Sequence, residues 1–317
     1  MLFAPARMHI PDGFLSTAVS VVGWILSVAC VATALRMTRR QMGERQVPVM
    51  GVMAAFIFAA QAVNFPVAAG TSGHLVGATL AAIVLGPWAS VLVMTSVLVV
   101  QALLFQDGGL IVLGWNLVNM AVLGSLTGYG VYRLVLRAVG DHRIGRLASA
   151  FAAAWSSVMV GALAVSVELA ISGTASLTLA LPAMAGVHGL IGLGEGIITV
   201  GALALLLASR PELLRGAAES PGQATAHVIV AGLLLALLAA LAAPLASTSP
   251  DGLNAVAGAL AFADRARSFG MGMWQGYVLP GSRDAATATI LAVGVGSLVV
   301  FGVAFIVGRS LRPTSVK

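Results

Sequence analysis

From Leu75 to Phe105 the chain runs without a charged residue, interrupted only by the pair Gly86-Pro87. A stretch this long and apolar has no place on a water-soluble domain, whereas a helix of about 20 such residues crosses a bilayer. Other predominantly apolar runs are Leu15–Leu35, Val49–Pro66, Leu110–Tyr132, Leu147–Ile171, Leu177–Leu207, Ala226–Pro244 and Ala286–Gly308. Of the 317 residues 59% are hydrophobic and 9% charged, against about 25% charged in soluble chains. The fold class expected is an all-α polytopic membrane protein. A cytosolic enzyme and a secreted disulfide scaffold are excluded. The one cysteine, Cys30, lies in an apolar run and is expected to be a small core residue.

Lys and Arg number 17 against 11 Asp and Glu, a net charge of +6. In a membrane protein such an excess marks cytoplasmic loops, not nucleic-acid binding. Basic residues follow four spans: Arg36, Arg39, Arg40 and Arg45; Arg133, Arg137, Arg143 and Arg146; Arg210 and Arg215; Arg309, Arg312 and Lys317. With these groups inside, only Arg7, Arg265, Arg267 and Arg283 of the 17 lie outside. That puts the N-terminus outside and the C-terminus inside, and it requires an even number of crossings between Pro66 and Leu110. Leu75–Phe105 therefore splits at Gly86-Pro87, where proline removes a helix donor and disfavours helix in the residue before it. About nine transmembrane segments result. The short one before Gly86 is tolerated if protein buries it.

Five histidines are present. His142 falls in the Arg-rich inner loop and His227 at the start of a span, and neither reads as a site residue. His9 and His74 both face outward. His74 ends the Gly-rich turn Gly70-Thr71-Ser72-Gly73, and His9 precedes the turn Pro11-Asp12-Gly13. Two outward imidazoles beside a membrane bundle point to a transition-metal site. His188 and Glu195 are two helical turns apart and share a face, with Gly192 between them. Together with Glu168 they are ionisable groups within spans, which are costly and mark function by default. Asn116, Asn119 and Gln61 read as interhelical hydrogen bonders. The sequence has no His-Glu-x-x-His, Gly-x-Ser-x-Gly or phosphate-binding Gly-x-x-x-x-Gly-Lys-Ser/Thr, so the chain carries no ATPase of its own. The alternative is an intramembrane metalloenzyme built on His188 and Glu195, which would need three convergent ligands.

Met8-His9-Ile10-Pro11-Asp12-Gly13-Phe14-Leu15, Gly70-Thr71-Ser72-Gly73-His74-Leu75, Phe105-Gln106-Asp107-Gly108-Gly109-Leu110 and Leu113-Gly114-Trp115-Asn116-Leu117-Val118-Asn119-Met120 resemble the CbiM/NikM family. These are the substrate-capture components of energy-coupling-factor transporters for cobalt and nickel. His188-Gly-Leu-Ile-Gly-Leu-Gly-Glu195 resembles it too. The tail resembles the small companion subunit, NikN or CbiN, fused here. Its Pro-Asp-Gly-Leu-Glu hallmark reads Pro250-Asp251-Gly252-Leu253-Asn254, with Asn254 in place of the glutamate.

The resemblance implies a metal-capture domain of about seven helices over 8–210. A linker, 211–225, and a two-span companion domain, 226–317, with an outer loop, 247–283, would follow. It implies Ni²⁺ or Co²⁺ as cargo, nickel slightly favoured, with no other cofactor. The chain would sit in the cytoplasmic membrane and work with a membrane coupling subunit and paired cytosolic ATPases. It also implies the ligands: the α-amine of Met8, the amide nitrogen and ring of His9, and the ring of His74. Amine and amide close a five-membered chelate ring, amide and Nδ1 a six-membered one, and His74 completes a square. Tetragonal nitrogen ligation suits Ni²⁺ or Cu²⁺. His188 and Glu195 are expected to support the site from beneath without touching the metal. Because the chelate needs a free amine, residues 1–7 are expected to be absent from the working protein. Either Met8 is the true start or the chain is trimmed after Arg7.

Overall fold

The computed structural model describes residues 8–41, 43, 46–68, 70–209, 223–268, 273–279, 281 and 284–312. In a bilayer every main-chain polar group must be paired within the protein, and helices do this locally. The helices are α1 (Thr17–Gln41), α2 (Gln46–Gln61), α3 (Ala78–Leu85), α4 (Pro87–Val100), α5 (Leu113–Asn116) and α6 (Gly124–Val139). They continue as α7 (Arg143–Ile171), α8 (Leu177–Ser209), α9 (Gln223–Ala242), α10 (Gly252–Ala259) and α11 (Ala285–Ser310). Widened π turns extend α4 through Gln101–Phe105 and join α5 to α6 through Leu117–Leu123. The antiparallel strands β1 (Phe65–Pro66) and β2 (Ser72–Gly73) form a small hairpin.

Among the described residues six helical stretches are long and apolar enough to cross a membrane: Thr17–Gln41, Pro87–Phe105, Arg143–Ile171, Leu177–Ser209, Ala226–Leu245 and Ala285–Ser310. The chain is a multi-pass helical membrane protein. The long uncharged run is broken where proline predicts it. Gly86 takes φ 85° and ψ 161°, and Pro87 opens α4. Before it, α3 has 8 residues, a length of about 12 Å. Six of those 8 residues are buried. Element ends moved elsewhere. The Leu110 span starts at Leu113 and runs on to Val139, so Arg133 and Arg137 lie within α6. His142 caps α7, its ring accepting from the Gly145 N–H at 3.1 Å. Cys30 packs against the main core. Residues 1–7 and 211–222 of the expected organisation lie outside the described residues, and 223–225 already belong to α9.

The main core gathers Met50, Ile57 and Phe58 of α2 with Met94 and Leu98 of α4. Helices α9 and α11 pack on α2 and add Ala236, Val293 and Val300 to the same core. The C-terminal pair is thus part of one bundle with the first helices. At one end the connections lie over one another. Ser72 N–H donates to Pro250 O (2.8 Å), Ser247 N–H to Asn64 O (2.8 Å), Arg267 N–H to Asp12 O (2.7 Å) and Trp274 N–H to Leu104 O (2.9 Å). The connection between α9 and α11 therefore rests on the N-terminal segment, on the β hairpin and on the end of α4.

Candidate metal centre

The N-terminal segment is fixed by two clamps. After the Pro11-Asp12-Gly13 turn, the Asp12 carboxylate accepts from the N–H groups of Leu110 (2.9 Å), Ile111 (2.8 Å) and Val112 (3.2 Å). These amides precede α5, where a helix start leaves donors unpaired and its dipole favours an anion. The Asn116 side chain binds Ile10 at both N–H and O, each at 3.1 Å. Met8 and His9 are buried as a result, at 4% and 3% exposure. The loop beneath them must be glycine. A methyl group at Gly108, whose φ is +93°, would stand 3.0 Å from His9 Cβ, and one at Gly109 would stand 2.3 Å from Asp12 N.

Asp107 reaches this place because of the π turn. The turn ends at Gln106 in a left-handed conformation (φ 52°), and the Asp107 N–H returns to Gln101 O at 3.1 Å. Asp107 Oδ1 then accepts from Met8 N at 2.8 Å and lies 3.2 Å from His9 Nδ1. Its Oδ2 accepts from the Tyr277 hydroxyl at 2.7 Å. Burial opposes charge on both His9 and Asp107, but their mutual attraction outweighs it. His9 is held above, and Asp107 below, its ordinary range. Burial, with the neighbouring carboxylate adding to it, raises the Tyr277 phenol well above its usual value, so it remains a donor. His9 Nε2 is buried and has no hydrogen-bond partner among the described residues.

The His74 ring faces His9 edge to face, with ring centres 5.7 Å apart and planes at 69°. His74 Nδ1 donates to Leu75 O at 3.0 Å, which leaves Nε2 as the free nitrogen. Burial, with the nearby His9 adding, pushes its pKa down to about 4, so the ring is neutral and in its ligating form. The hairpin carrying it is pinned from below. Glu195 Oε2 accepts the Val76 N–H at 2.6 Å and Oε1 accepts the Gly77 N–H at 2.9 Å. His188 Nδ1 donates to Met184 O at 2.9 Å. A cavity of about 100 Å³ lies beneath, bordered by His9, His74, His188, Met184, Asn119 and Asp251. Burial raises Asp251 to about 7, against the pull of its two bonds from Asn254.

The structure therefore brings Met8, His9 and His74 to one place, with His188 on the wall of the same cavity. Glu195 stands one step back, with both oxygens engaged by main chain. Asn119 donates to Glu168 at 3.1 Å and Gln61 accepts from Gln101 at 2.8 Å, the interhelical bonds read from the sequence, whereas Asn116, read the same way, binds Ile10 of the N-terminal segment instead. Sequence reasoning gave no role to Asp107, Tyr277 or Asp251, and it took Asp12 only as a turn residue. The signal for Asp107 was present in the Gln106-Asp107-Gly108-Gly109 loop, where two consecutive glycines announce a close approach.

The model of the CbiM family, described as a cobalt uptake substrate-specific transmembrane region, matches residues 9–213. The chain belongs to the CbiM family. Over 307 residues it is 37% identical to a protein of Archaeoglobus fulgidus named as a fused nickel transport protein, NikMN, with 96% of this chain and 99% of that one covered. It is 34% identical to the cobalt transport protein CbiM of Sorangium cellulosum, over 65% of this chain and 94% of that one. A crystal structure of a truncated transition-metal transporter superposes with a TM-score of 0.57 at 33% identity, covering 63% of this chain and all but 1% of the other. The fusion to a NikN-like segment is supported by the match that spans the whole Archaeoglobus protein. This CbiM-family chain is a transport protein, not an enzyme.

Proposed function

We propose that this chain captures Ni²⁺ or Co²⁺ at the outer face of a cytoplasmic membrane, as the substrate-specific component of an ATP-driven energy-coupling-factor importer. The observation that carries the reading is the convergence of Met8 N and His9 Nδ1 on one point, the Asp107 Oδ1 atom, with the His74 ring set against His9. Among the described residues no three side chains of His, Cys, Asp or Glu stand together as a cation cage. Main-chain nitrogens are the natural remaining ligands. The proposed set is the amine of Met8, the amide and Nδ1 of His9, and Nε2 of His74. On capture His9 Nδ1 exchanges Asp107 for the ion. A coordinated amine keeps protons with which to hold the carboxylate. Planar four-nitrogen ligation favours Ni²⁺. His188 and Glu195 act from beneath, Glu195 by fixing the main chain that follows His74.

Nine crossings, with the N-terminus outside and the C-terminus inside, form the topology that suits this role. It places the site outside and most arginines inside. A membrane coupling subunit and paired cytosolic ATPases supply the energy, and the chain itself brings no cofactor beyond its cargo. Titration with Ni²⁺ and Co²⁺ of the purified chain with Met8 as its N-terminal residue, paired with uptake by cells that contain or lack the partner subunits, tests the reading. Tight binding without partners and uptake only with them is the expected result. Uptake by this chain alone would overturn the importer assignment, and no affinity for either ion would overturn capture.

A further inference from the structure

Tyr277 belongs to the turn Gln275–Tyr277 in the connection between α9 and α11, far in sequence from every proposed ligand. It is 1% exposed and has φ +60°, a left-handed conformation that a bulky residue keeps only when its surroundings impose it. Its ring stacks on Phe105, with centres 4.7 Å apart and planes at 20°. Trp274, three positions earlier, holds the loop to Leu104 O through its N–H. Apolar packing thus places the ring, and the hydroxyl is the one polar atom it delivers.

That hydroxyl joins two lines of hydrogen bonds. It donates to Asp107 Oδ2 at 2.7 Å, and Asp107 Oδ1 holds Met8 N and lies beside His9 Nδ1. It also receives a bond from Gln101 Nε2 at 3.2 Å. Gln101 Nε2 donates in turn to Gln61 Oε1 (2.8 Å), and Gln61 Nε2 to Val76 O (2.9 Å), two residues beyond His74. One hydroxyl therefore ties the segment bearing Met8 and His9 to the segment bearing His74. We propose that Tyr277 is a positioning residue of the capture site, through which the C-terminal segment holds Asp107, and with it Met8 and His9, in the arrangement that takes the ion. This rests on the ligand set proposed above. A hydrogen bond to a carboxylate is short, strong and directional, and partners standing behind metal ligands set ligand orientation and affinity. Without the hydroxyl, Oδ2 is left buried and unpaired, and the carboxylate turns away from Met8 and His9 to find another donor.

The test uses the chain with Met8 as its N-terminal residue, checked by intact mass, in detergent, as wild type, Tyr277→Phe, Asp107→Asn and the double variant, titrated with Ni²⁺ by calorimetry and followed by the visible absorption of the complex. Phenylalanine keeps the stacked ring. We expect Tyr277→Phe to melt close to wild type yet bind Ni²⁺ about 10–100-fold more weakly, with an altered absorption band. The double variant is expected to bind no more weakly than Asp107→Asn alone, because the hydroxyl acts through that carboxylate. Wild-type affinity and spectrum in Tyr277→Phe, or losses that simply add in the double variant, would overturn the proposal. Should Tyr277→Phe not be recovered folded, 3-fluorotyrosine at position 277 serves instead. Its fluorine resonance is expected to shift as Ni²⁺ saturates the site, and a resonance that stays in place overturns the proposal. If wild type binds no Ni²⁺, or His74→Ala binds like wild type, the ligand set itself is wrong and this role falls with it. That outcome differs from a silent Tyr277→Phe in a protein whose site responds to His74.

Discussion

Asp12 and Asp107 are each followed by glycine in a short segment between helices or ahead of the first one, and they do different work. Asp12 takes three main-chain N–H groups ahead of α5 with two oxygens. Asp12→Asn leaves one acceptor oxygen for them, and an unpaired buried donor costs about 1–3 kcal/mol. Thermal unfolding of Asp12→Asn is expected several degrees below wild type, and an unchanged melt would show that the clamp is not needed. Asp107 instead faces Met8, His9 and Tyr277. His74 contributes the one proposed ligand from outside the N-terminal segment, and its ring is already neutral. His74→Ala is expected to weaken Ni²⁺ binding by orders of magnitude while the protein still inserts. Calorimetry decides, and wild-type affinity would remove His74 from the site.

At the scale of elements, the site hangs on how segments end. The π turn Gln101–Phe105 aims Gln101 into the bundle while returning Asp107 to the surface end, and such turns recur at functional places. Glu195 is the corresponding fastening for the His74 hairpin, from the middle of α8. Glu195→Gln puts an amide N–H against a main-chain N–H. It is expected to lower the melting temperature and to weaken Ni²⁺ binding much less than His74→Ala does. An equal loss of affinity in the two would make Glu195 a ligand or the charge balance of the ion. The N-terminal segment offers a sharper test. One residue inserted between Met8 and His9 changes the chelate ring sequence and is expected to abolish tight Ni²⁺ binding. Tight binding in the insertion variant, or in a chain whose measured mass shows residues 1–7 still attached, would leave His9 and His74 as plain imidazole ligands.

On the scale of the molecule, the C-terminal pair and the first helices share one core, since α9 and α11 both pack on α2. The connection between them covers one end of the bundle, bonded to Asn64, Ser72, Asp12 and Leu104. Asp251 joins this cover twice. It caps α10 through the Asn254 N–H at 2.8 Å and borders the cavity beside His188. Asn254 stays next to Asp251, its side chain donating at 2.7 Å. Deletion of 226–317 is expected to lower both nickel affinity and uptake, the affinity at least as far as Tyr277→Phe does. A truncated chain with wild-type affinity would show that the cover serves uptake alone.

Much of this architecture was legible without coordinates. Apolar runs fix membrane helices because lipid offers main-chain groups no partners, and Gly86-Pro87 had to break the longest run because proline cannot continue it. The histidines and the Gly-rich loops were visible for similarly local reasons: residue type and nearest-neighbour conformation. What the sequence did not reveal depends on contacts across long separations. Asp107 lies 99 residues from Met8, Glu195 lies 119 from Val76, and Tyr277 lies 170 from Asp107. A carboxylate in a loop, a glutamate in a span and a tyrosine in a polar tail carry no mark of their partners. Sequence pattern determined which segments are apolar enough to enter a membrane and which side chains carry metal-ligating atoms. The tertiary structure decided which of them meet, because a buried carboxylate is tolerated only where the fold brings donors to it.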